Sequence, residues 1–230
     1  MGHGVPYAQG MQCMQQTIRQ VQQVMQKEQR AQGHLLLLQH KPVITHTRSG
    51  GKKHIILPAS QLAKAGIELV QTDRGGDVMF HGPGQLIGYP IIPISRGRNF
   101  VAIGRYLHAL QEALLAVCKS VGVPHCTRIP GKTGIWVCSP GKPSAKLAAV
   151  GVGVNAQGIS RHGFALNVSA DLQLIERCIV PCGLAGTTLT NLHDQLQHIN
   201  KPLPSLSQLC KKIASSIGKH LDLDVHWSAS

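Results

Sequence analysis

The stretch Arg74-Gly-Gly-Asp-Val-Met-Phe-His-Gly-Pro-Gly-Gln85 is the most informative segment of the sequence. It sets an arginine and a histidine among glycines, which let the backbone approach a ligand closely or adopt positive φ. The apolar runs Ile67–Val70 and Leu86–Ile92 flank it, and each is typical of a strand. The segment therefore predicts a loop at a sheet edge that can present a ligand site, although an ordinary glycine-rich hairpin would show the same pattern.

The glycine spacing in this segment does not fit a phosphate-binding loop. The sequence contains no G-x-x-x-x-G-K-[ST] and no G-x-G-x-x-G between a strand and a helix. We therefore do not expect nucleotide binding at this loop.

Hydrophobic periodicity on both sides of the segment predicts the remaining elements. Helices are predicted over Tyr7–Gln32, Pro58–Ala65 and Phe100–Val121, with a last helix that starts at Ser205. Strands are predicted over Leu35–Gln39, Val43–Thr47, Gly134–Cys138, Lys146–Val154, Ser160–Val168 and Leu221–Trp227. Because helices bracket a mostly hairpin-linked sheet, we expect an α+β fold in one domain over residues 1–230.

Composition restricts the class of protein. The chain has 230 residues, of which 43% are hydrophobic, and this is enough for a sizeable core. No apolar run approaches the ~20 residues of a membrane span. The formal charge of +13 favours acidic partners. Nucleic acid is not the expected partner, because an aromatic content of 3% supplies a poor base-stacking surface.

The ionisable and sulfur-containing residues limit the metal chemistry. There are 10 acidic residues, and the seven cysteines include no C-x-x-C spacing. Magnesium and zinc sites need carboxylate or cysteine and histidine clusters that this pattern does not offer. We therefore expect no metal site, and we expect reduced thiols in an intracellular compartment.

Three later segments change the interpretation of the glycine-rich loop. They are Lys146-Leu-Ala-Ala-Val-Gly151, Arg161-His-Gly-Phe-Ala-Leu-Asn167 and Ile179-Val-Pro-Cys-Gly-Leu184. Together with Gly75–Gln85, and in the same order, they resemble the octanoyltransferases of lipoate synthesis. The resemblance extends from about Val5 to Leu192. It implies the fold shared by biotin protein ligases and lipoate ligases, which is class II synthetase-like, with a central mixed or antiparallel sheet flanked by helices.

The resemblance implies a catalytic pair of Cys182 and Lys146. A thiolate exchanges readily with a thioester, but a thiol with a pKa near ~8.5 needs help to ionise at neutral pH. A nearby ammonium group favours the anion, and Lys146 is the lysine that matches the motif. The acyl substrate is expected to bind at three matched segments. They comprise Arg74, Gly75, Gly76, Asp77, Val78, Met79, Phe80 and His81, then Ala149, Val150 and Gly151, and finally Gly163, Phe164 and Ala165.

Asp77 stands where the family often has an uncharged residue, and a carboxylate there would compete for the charge of Lys146. The long loop after Trp136 brings in a second lysine, Lys142, but the Leu-Ala-Ala-Val-Gly run marks Lys146 as the catalytic lysine. Cys178 is interpreted as structural, and His81 and His162 are candidates for orienting the catalytic pair.

The implied partners are proteins. The donor is octanoyl-acyl carrier protein, and the acceptors are the lipoyl domains of 2-oxoacid dehydrogenase E2 subunits and the glycine cleavage H protein. No cofactor is expected, because an amide forms downhill from a thioester without ATP. The sequence pI of 9.8 favours the mitochondrial matrix if the source is eukaryotic, and otherwise we expect the cytoplasm.

Two other functions remain open from the sequence. One is an ATP-dependent lipoate or biotin protein ligase of the same superfamily. The other is a non-catalytic basic protein that binds a carrier protein or nucleic acid.

Overall fold

A computed structural model of the chain describes residues 2–28, 33–48, 51–94, 100–183 and 186–223, without the side chains of residues 2, 3, 28, 100, 101 and 182. Within these ranges the strands are β1 Gly2–Val5, β2 His34–His40, β3 Val43–Thr47, β4 Glu68–Thr72, β5 Val78–His81, β6 Gln85–Ile91, β7 Cys126–Ile129, β8 Lys132–Val137, β9 Ala145–Val154, β10 Ser160–Asn167 and β11 Thr188–Leu189. The α-helices are α1 Tyr7–Glu28, α2 Ala59–Lys64, α3 Phe100–Val121, α4 Leu172–Cys178, α5 Leu192–Gln197 and α6 Leu206–Leu221. Two 3-10 turns cover Gly51–His54 and Pro181–Gly183.

The strands form two mixed sheets. The larger sheet has the order β1-β2-β6-β10-β9-β8-β7, and β11 pairs with β9. Most neighbours in it are antiparallel, while the β1–β2 and β11–β9 pairs are parallel. The smaller sheet has the order β4-β3-β5, with β4 parallel and β5 antiparallel to β3.

The two faces of the larger sheet have different coverings. Along β10, Phe164 and Leu166 belong to a core that contains residues of α3 and α6, whereas Ala165 belongs to a core formed with α1. Successive residues of a strand point to opposite faces, so α3 and α6 cover one face and α1 covers the other. Leu110 of α3 and Ile213 of α6 are both 0% exposed, and burial of each side chain contributes about 1.5–3 kcal/mol.

The smaller sheet builds a third core. Ile44 of β3 and Val78 and Phe80 of β5 pack against Ile175 and Ile179, at and just after α4. This core joins the glycine-rich segment to the chain just before Pro181–Gly183. The glycine-rich motif and the motif that contains Cys182, which are far apart in the sequence, are therefore brought together by apolar packing of the smaller sheet.

Most of the predicted elements are confirmed. The helix over Phe100–Val121 and the strand over Val43–Thr47 have the predicted bounds, and those at Lys146 and Ser160 differ by a residue at one end. Ser205 caps α6 in a capping box. The Ser205 hydroxyl accepts from the backbone amide of Gln208, and the Gln208 side-chain oxygen accepts from the backbone amide of Ser205. Residues 29–32, at the end of the first predicted helix, lie outside the described residues.

Two predictions are wrong. The glycine-rich segment is not one loop, because Val78–His81 forms strand β5, in which all four residues are buried between glycine turns. The last predicted strand begins at Leu221, but Leu221 is the last residue of α6, and Asp222, with a φ of 55°, caps the helix. Residues 224–227 of that predicted strand lie outside the described residues.

Several short elements were not predicted, namely β1, β7, β11, α4 and α5. Each spans seven residues or fewer, so none contains enough periods to stand out in the sequence. Across the described part of the chain, no helix is both long enough and apolar enough to cross a membrane.

Candidate active site

A pocket lies where β5 of the smaller sheet faces β9 and β10 of the larger one. Side chains from the predicted segments line it together with residues from α4, β11 and the turn at Pro181. The lining residues are Val78, Met79, Phe80, His81, Gln85, Lys146, Ala149, Ala165, Asn167, Ile175, Ile179, Pro181 and Leu189.

Lys146 reaches this pocket because β9 contains a β-bulge. The partner of Ile135 on β9 is Ala148, but the partner of Trp136 is Lys146, so one step along β8 corresponds to two along β9. Regular alternation would put Lys146 on the same side as Ala148, which belongs to the core under α3 and α6. The bulge instead turns Lys146 to the side of Ala149, and both residues line the pocket.

The Lys146 side chain is buried against an aromatic ring. Only 4% of the residue is exposed, and its Nζ lies 4.6 Å from the centre of the Trp136 ring. A cation over the face of an indole is stabilised by the ring quadrupole, which offsets part of the cost of burying the charge. Gly134 lies beside it, because an added Cβ there would sit 3.6 Å from Lys146 Cε.

Two polar side chains of the pocket lining, Gln85 and Asn167, are joined by hydrogen bonds. Gln85 Nε2 donates to Asn167 Oδ1 at 2.9 Å, and Asn167 Nδ2 donates to the backbone oxygen of Thr190 at 3.0 Å. Burial, followed by the charge of Arg74, lowers the pKa of His81 well below its ordinary value. At neutral pH His81 is therefore a neutral imidazole in the pocket wall.

Arg74 anchors the glycine-rich segment to the smaller sheet. Its Nη2 donates to the Thr45 backbone oxygen at 2.9 Å and to Thr45 Oγ1 at 2.8 Å, and its Nη1 donates to the Gly75 oxygen at 3.0 Å. The residue is buried, and it does not line the pocket that contains Lys146. These contacts make it a positioning residue of the loop.

Several matched residues allow close packing and do not line this pocket. The Gly75 amide donates to the Val152 oxygen at 2.9 Å, and a Cβ on Gly151 would lie 2.7 Å from the Gly75 oxygen. A Cβ on Gly163 would overlap the Gly88 oxygen. Gly76 is exposed, with a φ of 90°. The glycines therefore let the loop and the strands approach each other, and they are not walls of the pocket.

Val150 and Phe164 also differ from the predicted role, because both belong to the core under α3 and α6. Phe164 lies over Gly88, where any side chain would overlap its ring. Of the fourteen residues expected to bind the acyl substrate, the pocket brings together Val78, Met79, Phe80, His81, Ala149 and Ala165. The sequence reasoning missed Asn167 and Gln85 as site residues, although each ends one of the matched motifs.

Asp77 does not pair with Lys146. Its Oδ2 lies 2.9 Å from His54 Nδ1, at the end of the 3-10 turn Gly51–His54. A Cβ on Gly183 would lie 2.6 Å from Asp77 Oδ2 and 2.7 Å from His54 Cε1. The Asp77–His54 pair therefore packs directly against the turn Pro181–Gly183 and sets the space available to it.

Cys182 lies in this turn, and its side chain is outside what the structure describes. Of its neighbours, Pro181 lines the pocket, and the Gly183 amide donates to the Val180 oxygen at 3.0 Å. Gly183 has a φ of 67°, which a residue with a side chain adopts only with strain.

Cys178, the last residue of α4, is 0% exposed, and burial raises the pKa of its thiol.

His162 lies in a second region, along a groove of about 700 Å³ between α1 and the β4 edge. Its Nε2 lies 2.9 Å from Asp73 Oδ1, and Arg161 pairs with the same carboxylate. The hydrogen bond from His162 is the main cause that lowers the pKa of Asp73 to about 2. His162 is therefore engaged by Asp73 in this groove, and it does not line the pocket of Lys146.

The same groove borders a buried cluster that the sequence reasoning did not identify. His40 Nε2 lies 2.8 Å from the Tyr89 hydroxyl, and His40 Nδ1 lies 3.0 Å from the Val5 oxygen. The Tyr7 hydroxyl donates to Thr72 Oγ1 at 3.1 Å. Burial lowers the pKa of His40, so this cluster is neutral at neutral pH.

The chain matches the lipoyl protein ligase A/B catalytic domain over residues 6–217. The chain belongs to this family. The match begins just after β1 and ends within α6, so it includes the whole of the described pocket.

Curated relatives in bacteria include octanoyltransferases. The one from Koribacter versatilis is 43% identical over 162 residues, which are 70% of this chain and 62% of the relative. The one from Acidobacterium capsulatum is 35% identical, with 98% of this chain and 90% of the relative covered. These relatives agree with the family indicated by the sequence motifs.

Solved structures with the same fold include lipoate ligases. Lipoate-protein ligase A bound with ATP gives a TM-score of 0.68 at 14% identity, over 86% of this chain and 76% of that one. P. falciparum LipL1 in complex with lipoate gives 0.70 at 10% identity, over 96% and 61%. The expected α+β, lipoate ligase-like fold is therefore confirmed.

Proposed function

We propose that this protein is an octanoyltransferase that moves an octanoyl group from acyl carrier protein to a lysine of a lipoyl domain. The observation that carries the proposal is the bulge-directed Lys146. Its ammonium group is buried in a pocket whose wall includes Pro181, the residue before Cys182. The names of the curated relatives and the family match support the same activity.

In the first half of the proposed reaction, the Cys182 sulfur is the nucleophile. The thiolate attacks the carbonyl carbon of the octanoyl thioester, and the carbon–sulfur bond to the carrier breaks. The carrier thiolate leaves and takes up a proton from the Lys146 ammonium group, which becomes a neutral amine, and the octanoyl group remains on Cys182 as a thioester. The positive charge of Lys146 favours the thiolate form of Cys182 before the attack.

In the second half, the amine of the acceptor lysine attacks the new thioester. An amide bond forms, the bond between the acyl carbon and Cys182 breaks, and the amine loses a proton. Lys146 is the candidate base for that proton, because a buried lysine amine changes its protonation more readily than arginine. An amide is more stable than a thioester, so this step runs downhill without ATP.

The apolar lining of the pocket suits a straight acyl chain. Ala149 and Ala165 are small residues on the sheet face, while Met79, Ile175 and Ile179 surround them with aliphatic surface. Each methylene group that leaves water contributes about 0.8 kcal/mol. The cavity of about 40 Å³ is smaller than an octanoyl chain, so the pocket walls must move apart to admit one. The amide of Gly75 is already used by the Val152 oxygen, so it is not available to a developing oxyanion.

We assign the catalytic function to a single domain over residues 1–230, with lipoyl domains of E2 subunits and the glycine cleavage H protein as acceptors. The relatives reported above are bacterial, which favours a bacterial cytoplasm over the mitochondrial matrix expected from the basic pI.

The test is intact-mass measurement after incubation with octanoyl-acyl carrier protein. The parent protein should gain one octanoyl group, and Cys182→Ser should not, because a serine hydroxyl lacks thiolate character. Cys178→Ala is the matched control and should still be acylated, since this buried thiol has a raised pKa. An acylated Cys182→Ser protein would overturn the assignment of the nucleophile.

A second arm separates the transferase from an ATP-dependent ligase of the same fold. The protein is mixed with octanoate, ATP, magnesium and a lipoyl domain in the absence of carrier protein. The transferase should leave the lipoyl domain unmodified in this mixture. Efficient octanoylation with ATP that persists in Cys182→Ser would instead identify a ligase.

A further inference from the structure

An exposed basic surface borders the turn that contains Cys182. Lys52 and Lys53 are adjacent and exposed on the 3-10 turn Gly51–His54, and Arg177 is exposed near the end of α4. Ile56 lies beside them and is 53% exposed. We call these four residues the basic rim.

Backbone hydrogen bonds join the basic rim to the wall of the pocket. The Ile56 amide donates to the Cys178 oxygen at 2.8 Å, and the Val180 amide donates to the His54 oxygen at 2.8 Å. Ile55 and Ile179 form a bridge between these two bonds. Because Ile179 and Pro181 line the pocket, one short chain segment has the basic rim on one side and the acyl pocket on the other.

The charge of the rim is not neutralised within the described residues. No ion pair there involves Lys52, Lys53 or Arg177, although Glu176 is exposed next to Arg177 and subtracts one charge. The carboxylate of Asp77 is held by His54 on the inner side of the same turn. An acidic protein that approaches Cys182 from this side therefore meets a positive surface that includes one exposed apolar residue, Ile56.

We propose that the basic rim is the docking surface for the acyl carrier protein, and this inference rests on the proposed function. Carrier proteins are small, acidic helical proteins that hold the acyl group on a long flexible arm. The rim is one strand spacing, about 4.8 Å, to the side of the segment that precedes Cys182. A flexible arm can span that offset, whereas the shorter lysine of a lipoyl domain needs the acceptor directly over the pocket.

The test uses single-turnover acylation of Cys182 by two donors. One donor is octanoyl-acyl carrier protein, and the other is octanoyl-N-acetylcysteamine, which has no protein part. The double variant Lys52→Glu/Lys53→Glu should slow acylation by the carrier protein at least about tenfold, with the small thioester unaffected. Increasing salt should slow the parent reaction with the carrier protein and change the variant much less.

A matched control is available on α6. Lys211 and Lys212 are also adjacent and exposed, on a helix that covers the opposite face of the larger sheet. Lys211→Glu/Lys212→Glu changes the net charge by the same amount, so it separates local docking from general attraction. This control should slow the carrier reaction less than about twofold. Glu176→Lys should speed it.

The outcomes are distinct. Equal slowing by both double variants, or none by the rim variant, would overturn the docking proposal. Slowing confined to transfer from octanoyl-Cys182 to the lipoyl domain would assign the rim to the acceptor and also overturn it. Acylation by the small thioester shows that each variant is folded, and Arg177→Gln tests the rim from α4. Failure of the parent to accept octanoyl from either donor would contradict the proposed function itself.

Discussion

Replacement of Gly183 by alanine tests whether the Asp77–His54 pair sets the position of the turn Pro181–Gly183. An added Cβ would lie 2.6 Å from Asp77 Oδ2 and must retreat to 3.0 Å or the 3.4 Å of ordinary contact, a shift of roughly 0.4–0.8 Å. Asp77 Oδ2 lies 2.9 Å from His54 Nδ1, and Gly51 packs beside Asp77, so the Asp77 side chain has little room to retreat. We therefore expect the turn Pro181–Gly183 to move instead. A displacement of Cys182 on this scale should slow its acylation roughly tenfold to a hundredfold.

The control for this variant is Gly66→Ala. Gly66 has a φ of 68°, close to the 67° of Gly183, but nothing lies within 4 Å of its added Cβ. Both variants lose about 1–2 kcal/mol of stability because alanine disfavours positive φ. Only Gly183→Ala should also lose single-turnover acylation by octanoyl-N-acetylcysteamine, measured by intact mass.

A suppressor sharpens the same prediction. Addition of Asp77→Ala to Gly183→Ala removes the nearest obstacle and leaves His54 free to rotate, so part of the acylation rate should return. The reasoning is refuted if folded Gly183→Ala reacts at the parent rate, or if Gly66→Ala loses as much activity as Gly183→Ala.

Three further predictions concern the pocket, the groove and the sheet. Lys146→Met should raise, by about one unit, the pKa that governs alkylation of Cys182 by iodoacetamide. Lys146→Arg should leave alkylation easy but fail in turnover. An unchanged alkylation profile in Lys146→Met would exclude the pairing of Lys146 with the Cys182 thiolate. The pKa of Asp73 is lowered to about 2, so its contribution to stability is complete above about pH 4 and is lost as the pH falls towards 2. In urea unfolding, Asp73→Asn should be less stable at pH 7 by under ~1 kcal/mol, since 61% of the side chain is exposed, and should lose less stability between pH 4 and pH 2; an identical acid profile would contradict this. Gly163→Ala should strongly lower the melting temperature, because its Cβ would overlap the Gly88 oxygen. Gly153→Ala should lower it less, because the atoms nearest its Cβ belong to the Arg161 side chain and not to the backbone. Equal melting temperatures would contradict the packing role.

Long elements could be predicted from the sequence because each repeats its period many times. Helix α3 shows apolar residues at helical spacing across 22 residues, and its predicted bounds agree with the structure. Strand β5 has only four residues between glycine turns, and its burial depends on β3, more than thirty residues away along the chain. Its sequence could therefore be mistaken for part of a loop.

The chemistry of individual residues was also available from the sequence. The order of the motifs pointed to the family, and the residue types pointed to a thiol, a lysine and an apolar acyl site. The sequence could not separate glycines that line a pocket from glycines that let two backbones meet. Gly151 and Gly163 are of the second kind, since they lie opposite each other on β9 and β10 and contact the Gly75 and Gly88 oxygens of other segments.

The sequence by itself determined which reactive groups the protein possesses and which long helices and strands present them, because both depend on residue type and local periodicity. Only the tertiary structure decided where those groups point. A one-residue register shift against β8 turns Lys146 away from the core and into the pocket. The turn Gly51–His54 approaches the residue before β5 and gives Asp77 the partner His54 instead of Lys146. These outcomes depend on strand register and on contacts between residues far apart in the chain, which local sequence patterns do not encode.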